Sequence, residues 1–221
     1  MFFRRNNAKL LPHIREDISG FNAQAAQVLG WEIQKLNINH HWALTEGAGV
    51  TVAVIDTGCD LSHDDLRENL LPGKNFINEN KQPYDDNGHG THVAGTIAAV
   101  NNGTGMVGVA PKTKIVPVKA LDKKGGGSTH VIARAVEWAV SRRVDFITMS
   151  LGSGGMDAGL KQAIDYAEQM NVVVFCAAGN SGPNVDIMYP ARFSNTISIG
   201  AVNDRFDRTK FSCSGESLDF M

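Results

Sequence analysis

From residue 49 onward the chain is punctuated by five short apolar runs, at residues 50–55, 115–120, 146–149, 172–177 and 196–202. Each is apolar at successive positions rather than at alternate ones, the pattern of a strand covered on both faces. Segments with helical spacing lie between them, at residues 91–100, 128–142 and 157–169. In the second of these Ser128 is placed to cap the helix, and Val131, Ile132, Ala135, Val136 and Ala139 form one apolar face. Arg142 and Arg143 there suit the negative end of the helix dipole. Strands alternating with helices predict an α/β fold around a parallel sheet. Residues 1 to about 45 differ: they start polar and charged, carry the apolar island Leu10, Leu11, Pro12, and are only weakly periodic afterwards. We divide the chain into an extension, residues 1–30, and a globular unit, residues 31–221.

Composition narrows the function classes. A chain of 221 residues with 43% hydrophobic content has the material for a core, which excludes intrinsic disorder. Its 21 basic and 23 acidic residues leave a formal charge of -2, so no strong field points toward nucleic acid or an anionic membrane. No apolar run approaches the roughly 20 residues that cross a bilayer, and no apolar stretch follows the early arginines. Neither a membrane span nor a signal peptide is expected. Cys59, Cys176 and Cys213 cannot all pair with one another, and two of them sit in apolar strand-like settings, which fits a reducing cytoplasm.

Three short segments could carry chemistry. Asp56 ends the run Val52-Ala53-Val54-Ile55-Asp56-Thr57-Gly58, at the strand end that borders the ligand crevice in an open parallel sheet. Taken alone, it could equally be a carboxylate that organises the turn. In Asn87-Gly88-His89-Gly90-Thr91-His92, His89 stands at or before a helix N-terminus, held yet reachable; a simple cap is the alternative. His89 and His92 also suggest a metal pair, but the helical zinc pattern spaces its histidines by four with a glutamate between. Asn180 follows the strand-like Phe175-Cys176-Ala177-Ala178-Gly179, and its neutral amide could donate to a developing oxyanion or merely form a turn. Gly103-Thr104-Gly105-Met106-Val107-Gly108 matches the dinucleotide fingerprint in letters, yet it follows a helical segment instead of a strand.

Together, in this order and spacing, these segments resemble the subtilisin family of serine endopeptidases. The resemblance runs from about Gly49 to the C-terminus and takes in Val-Ile-Asp56-Thr-Gly, Asn-Gly-His89-Gly-Thr-His-Val-Ala-Gly-Thr and Val-Gly-Val-Ala-Pro111. It continues through Thr-Met-Ser150-Leu-Gly152, Ala-Ala-Gly-Asn180 and Tyr189-Pro190. It implies a three-layer fold with a central, mostly parallel sheet. It also implies that Asp56 orients the imidazole, that His89 is general base and then acid, and that Asn180 is the oxyanion donor. A polypeptide substrate would lie extended between Gly125, Gly126, Gly127 on one side and Ser150, Leu151, Gly152 on the other, pairing as an added strand.

The family further implies a structural calcium ion, with the loop bearing Val100, Asn102, Thr104 and Met106 as the matching segment and Asp65 supplying a carboxylate. The family's N-terminal glutamine ligand stays unassigned, because counting lands on Ala26 with Gln24 and Gln27 beside it. Asp56-Thr-Gly-Cys59 and Lys9-Leu-Leu-Pro12-His13 resemble the intracellular bacterial branch, in which a short extension lies across the cleft and inhibits. A disordered tail is the alternative for these residues. That branch is often dimeric, so a homodimer is among its implications. The family's nucleophile motif, Gly-Thr-Ser-Met-Ala, does not occur in the 221 residues. The expectation is therefore a peptidase domain lacking its C-terminal part and inactive alone. The alternative is a protease-like protein that binds peptides or regulates a partner protease.

Overall fold

The structure of the protein is a computed structural model, and it describes residues 7–10 and 27–221. In chain order the elements are β1 (Asn7–Leu10), α1 (Trp31–Lys35), α2 (Ile38–His41), β2 (Thr51–Asp56), β3 (Lys74–Asn75), α3 (His89–Ala98) and β4 (Lys114–Lys119). There follow β5 (Gly126–Ser128), α4 (Thr129–Ser141), β6 (Phe146–Met149), β7 (Leu151–Gly152), α5 (Ala158–Gln169), β8 (Val173–Ala177) and β9 (Ile197–Ile199). Six strands form one parallel sheet in the order β3-β4-β2-β6-β8-β9. The fold is α/β around a parallel sheet, as the spacing of apolar runs predicts, and three-layered, as the family resemblance implies.

The layers follow from side-chain alternation along the strands. Ala53 and Ile55 of β2 turn toward α4 and α5, where Ile132, Ala135, Val136, Leu160, Ala163 and Ile164 form the main core. Val52 and Val54 turn the other way, onto Ala94 and Ala98 of α3 and Ile115 of β4. Both N-caps on the larger helices hold: Ser128 Oγ accepts from Val131 N, and Asp157 Oδ1 accepts from Leu160 N at 2.9 Å. Thr129 Oγ1 donates to Asp157 Oδ2 at 2.8 Å, which ties the starts of the two helices together.

Coverage on both faces describes β2 and β4 but not every strand. In β6 and β8, Ile147, Met149, Val174 and Cys176 are buried, while Phe146, Thr148 and Phe175 are half-buried and Val173 is 39% exposed. The reason is the reach of α3, a ten-residue helix that packs mainly over β2 and β4 and meets β6 only at the edge of their cluster, through Phe146. Phe146 and Phe175 cover each other instead, with ring centroids 5.9 Å apart.

A second sheet is small and antiparallel, in the order β5-β1-β7. β1 comes from the extension and fills the space between the other two strands, with Ala8 opposite Gly127, Lys9 opposite both Gly126 and Gly152, and Leu10 opposite Leu151. Ala8 is buried against the main core. Leu11, Pro12 and His13 of the predicted inhibitory segment lie outside the described residues, as do Gln24 and Ala26.

Candidate active site

All strands of the parallel sheet end on the same edge, so Asp56 at the end of β2 and the segment after β8 that carries Asn180 share it, two strand positions apart. Asp56 is fully buried, because β2 is flanked by β4 and β6 and covered on both faces. Its Oδ1 accepts from Thr57 N at 2.6 Å. His89 Nδ1 lies 2.8 Å from Asp56 Oδ1 and 2.9 Å from Oδ2, so the ring N–H donates between both carboxylate oxygens. The imidazole, nine-tenths buried, is the first residue of α3.

Two glycines make that approach feasible. Gly88, the helix N-cap, has φ 105°, a left-handed conformation that favours glycine. Gly90 lies against the turn after β2: a Cβ there would overlap the Gly58 carbonyl oxygen and come within 3.2 Å of Asp56 Cβ. Thr57 Oγ1 accepts from Gly90 N at 2.9 Å and donates to Asp85 Oδ1 at 2.8 Å. Asp85 also accepts from the backbone N–H groups of Asn87, Gly88 and Thr91 and from the Thr91 hydroxyl. Burial pushes its carboxyl upward, but these bonds outweigh it and hold it below the ordinary carboxylate range. Nothing in the residue pattern singled out Asp85 or Thr57; their only signal is an acid four residues ahead of the histidine.

Asn180 follows Gly179, whose φ is 118°, on the turn after β8. Among the substrate-side residues, Gly126 and Gly127 belong to β5, and Leu151 and Gly152 form β7. Gly125 sits in the turn before β5, and Ser150 is a half-buried linker between β6 and β7. The three-stranded arrangement with β1 places an extended peptide in the slot these residues frame.

Residues 47–221 match the model of the subtilase family, Peptidase S8. The chain belongs to the subtilase family. Among similar proteins, subtilisin from Bacillus pumilus is 46% identical over 179 residues, covering 79% of this chain and 64% of that protein. Subtilisin E from Bacillus subtilis (strain 168) is 46% identical over 179 residues, covering 79% and 46%. An intracellular serine protease from Paenibacillus polymyxa is 42% identical over 190 residues, covering 81% and 58%. This subtilase chain thus spans about half to two thirds of the length of these relatives.

The loop after α3 tests whether a subtilase calcium ion fits. Gln27 is bound into it: Gln27 N donates to Gly103 O at 3.1 Å, and Val28 N to Gly105 O at 2.8 Å. The Gln27 side-chain amide donates to Val100 O at 2.9 Å and reaches Met106 O at 3.4 Å. Two backbone carbonyls therefore converge on one donor, as carbonyl oxygens do around a cation. Asp65 Oδ1 accepts from Asn102 Nδ2 at 2.9 Å, and Asp65 Oδ2 lies where a Cβ on Gly105 would intrude, at 2.5 Å. Asn102 Oδ1 accepts from Thr104 N and Oγ1. One carboxylate with amide and carbonyl oxygens suits a hard cation that tolerates irregular geometry. Among the described residues, no three His, Cys, Asp or Glu side chains are grouped to hold a metal, so a softer ion has no equivalent cradle there. Of the two glutamines that residue counting leaves open, Gln27 touches this loop and Gln24 lies outside the described residues; Gly103, Gly105 and Gly108 belong to the loop and its exit rather than to a nucleotide turn.

Among the described residues no helix is long and apolar enough to cross a membrane. Cys59, Cys176 and Cys213 are free and buried.

Proposed function

We propose that this subtilase is a serine endopeptidase of the cytoplasm, with Asp56, His89 and Asn180 as its proton-handling and oxyanion-binding groups. The observation that carries the reading is the two-oxygen contact of buried Asp56 with His89 Nδ1. That contact fixes the neutral tautomer with its proton on Nδ1. Nε2 is left as the basic atom, able to take a proton from a nucleophile and return it to the leaving amine. As the imidazole becomes a cation, the carboxylate stabilises it without accepting the proton itself. The Asn180 amide donates to the carbonyl oxygen of the substrate, and its bond strengthens as negative charge gathers there. Gly126, Gly127, Leu151 and Gly152 hold the substrate by backbone pairing, so recognition of the main chain does not depend on one side chain. The serine that completes this chemistry is not supplied by a Gly-Thr-Ser-Met-Ala motif within these residues. Activity is accordingly proposed for the protease and the supporting groups for this chain.

In this reading the extension inhibits: β1 lies in the slot proposed for substrate, and Ala8 fills an apolar site beside it. Calcium, when bound, would be held by Gln27, Asp65, Asn102 and the carbonyl oxygens of Val100, Thr104 and Met106, and would supply stability rather than reactivity. The cytoplasmic placement draws on the similarity to the intracellular serine protease of Paenibacillus polymyxa and on the reduced cysteines.

The seating of β1 also favours a second reading, an inactive protease-like protein that binds extended peptides or regulates a partner protease, since strand pairing needs no nucleophile. In a protease that carries the serine together with these residues, casein hydrolysis that is blocked by phenylmethylsulfonyl fluoride and lost in His89→Ala supports the endopeptidase. The loss expected is about 10⁶-fold, the size measured for the imidazole in a subtilisin. Hydrolysis unchanged in His89→Ala overturns the assignment, and saturable peptide binding without turnover by that serine-bearing protein selects the second reading.

A further inference from the structure

Lys119 ends β4, in register beside Asp56, and its side chain is only 4% exposed. Its ammonium lies 2.6 Å from the carbonyl oxygen of Thr57 and 2.6 Å from Asp86 Oδ1. A buried cation is costly unless it is paired and hydrogen-bonded, and an apolar side chain could fill the same slot without that cost. The two partners are informative. Thr57 immediately follows Asp56, and Asp86 stands three residues ahead of His89.

We propose that Lys119 is a positioning residue that fixes the geometry of Asp56 and His89 by clamping the turn after β2 to the loop before α3. The inference rests on the acid–imidazole reading given above. The opposite side of this junction is already tied by the Thr57 hydroxyl, Asp85 and the contact at Gly90. Those bonds, together with Cys59 N donating to Pro83 O at 3.0 Å and Asp85 N to Cys59 O at 3.1 Å, hold the turn against the loop as far as Asp85. The tie from Lys119, on a different strand and to different atoms, carries the hold on to Asp86 and so to the short lead into His89. A hydrogen bond shared between two carboxylate oxygens weakens steeply with misalignment, so the clamp acts on the tautomer and basicity of His89 through Asp56. Lys119 itself touches no reacting atom.

Charge alone would produce a different result. The charged and titratable groups on elements bordering His89 include Asp56 on β2, Asp60 on the turn after it, Asp85 and Asp86 on the preceding loop, His92 on α3 itself, Lys119 on β4, and Asp122 and Lys123 on the loop after β4, where the Lys123 carbonyl accepts from the Asn87 amide. Losing the Lys119 cation by a through-space effect raises the titration midpoint of His89, because the imidazolium loses a like-charged neighbour. Losing the clamp lowers it, because the imidazolium loses its hold on Asp56.

The test is an NMR titration of the His89 ring in the whole chain, together with its Nδ1 proton resonance. Lys119→Met is expected to lower the midpoint by roughly half a pH unit or more and to weaken that resonance. Asp86 is half-exposed, so its variants provide a second route if Lys119→Met does not fold: Asp86→Ala should weaken the resonance, and Asp86→Asn, which keeps an acceptor, should restore it. A midpoint in Lys119→Met that is unchanged or raised overturns the proposal, as does equal behaviour of the two Asp86 variants. Asp56→Asn serves as the reference. If it too leaves the ring unchanged, the acid–imidazole reading itself fails, and that outcome is distinct from failure of the clamp alone.

Discussion

Thr57 donates its hydroxyl hydrogen to Asp85 across 2.8 Å, and the same oxygen accepts from Gly90 N, so one side chain joins the turn after β2 to the first turn of α3. The carboxylate it reaches is the hub of the loop that delivers His89. The separation of Asp56 from His89 is therefore set by a buried polar network as well as by apolar packing, and such networks are strong only when every member is satisfied.

That network makes Asp85 a source of pH-dependent stability. Its folded carboxyl titrates below the ordinary value, so its contribution is fully present above about pH 4, the unfolded value, and is lost as pH falls through the folded one. Asp85→Asn should lower stability at pH 7 by about 1–3 kcal/mol, since an amide cannot accept all five hydrogen bonds. Urea unfolding of both proteins at pH 7 and at pH 3 checks it. A difference between them that stays the same at both pH values contradicts the assignment.

The slot framed by β5 and β7 separates two adjacent glycines by function. A Cβ on Gly127 would stand 2.5 Å from Ala120 O and 2.7 Å from Leu121 Cδ2, whereas one on Gly126 meets nothing nearer than Asp122 Oδ1 at 3.7 Å. Gly127→Ala should cost about 1–3 kcal/mol of fold stability. Gly126→Val should stay within roughly 0.5 kcal/mol, yet it places a branched side chain opposite Lys9 and should loosen β1. Denaturation midpoints and amide exchange at residues 8–10 measure the two effects, and the reverse ranking would refute the division.

These glycines also show where sequence reading stops. β2, β4, β6 and β8 were legible because each buries a run of β-branched or apolar residues, α4 because a cap at Ser128 precedes an apolar stripe, and α5 from its helical spacing, its Asp157 cap being added by the structure. β5 and β7 have three and two residues, mostly glycine, and owe their pairing to a strand more than a hundred residues away for β5 and still farther for β7. No local periodicity encodes such strands. Asp56 and His89 stand in recognisable motifs, but Lys119 stands in none, and its partner Asp86 is 33 positions distant. That Gln27 meets the loop at Gly103 is likewise set by the path of the backbone, which counting along the chain does not reveal.

Cys59 lies in the turn after β2, close to Asp56, yet it should be inert. Burial first, then the negative fields of Asp85 and Asp60, push its thiol up to about 12. At pH 8 the thiolate fraction is then about 10⁻⁴, and the thiolate is the nucleophile. Iodoacetamide should leave Cys59 unmodified in the folded protein and alkylate it after denaturation, as read by mass spectrometry of the peptide that contains it. Rapid alkylation in the folded state would mean that the turn after β2 opens readily.

The loop that binds Gln27 yields the last test, because the calcium reading has a thermodynamic signature independent of hydrolysis. A ligand bound only by the folded state adds about 2.7 kcal/mol at a hundredfold excess over its dissociation constant. Calcium should therefore raise the melting temperature relative to a chelator. Magnesium should do so far less, since it requires a small, regular octahedron that this mix of carbonyls and one carboxylate does not enforce. Asp65 supplies the single carboxylate, so Asp65→Asn should remove most of the calcium increment while leaving the melting temperature in chelator nearly unchanged. An equal increment in the variant and the parent would place the ion elsewhere, and no increment in either would remove calcium from this loop.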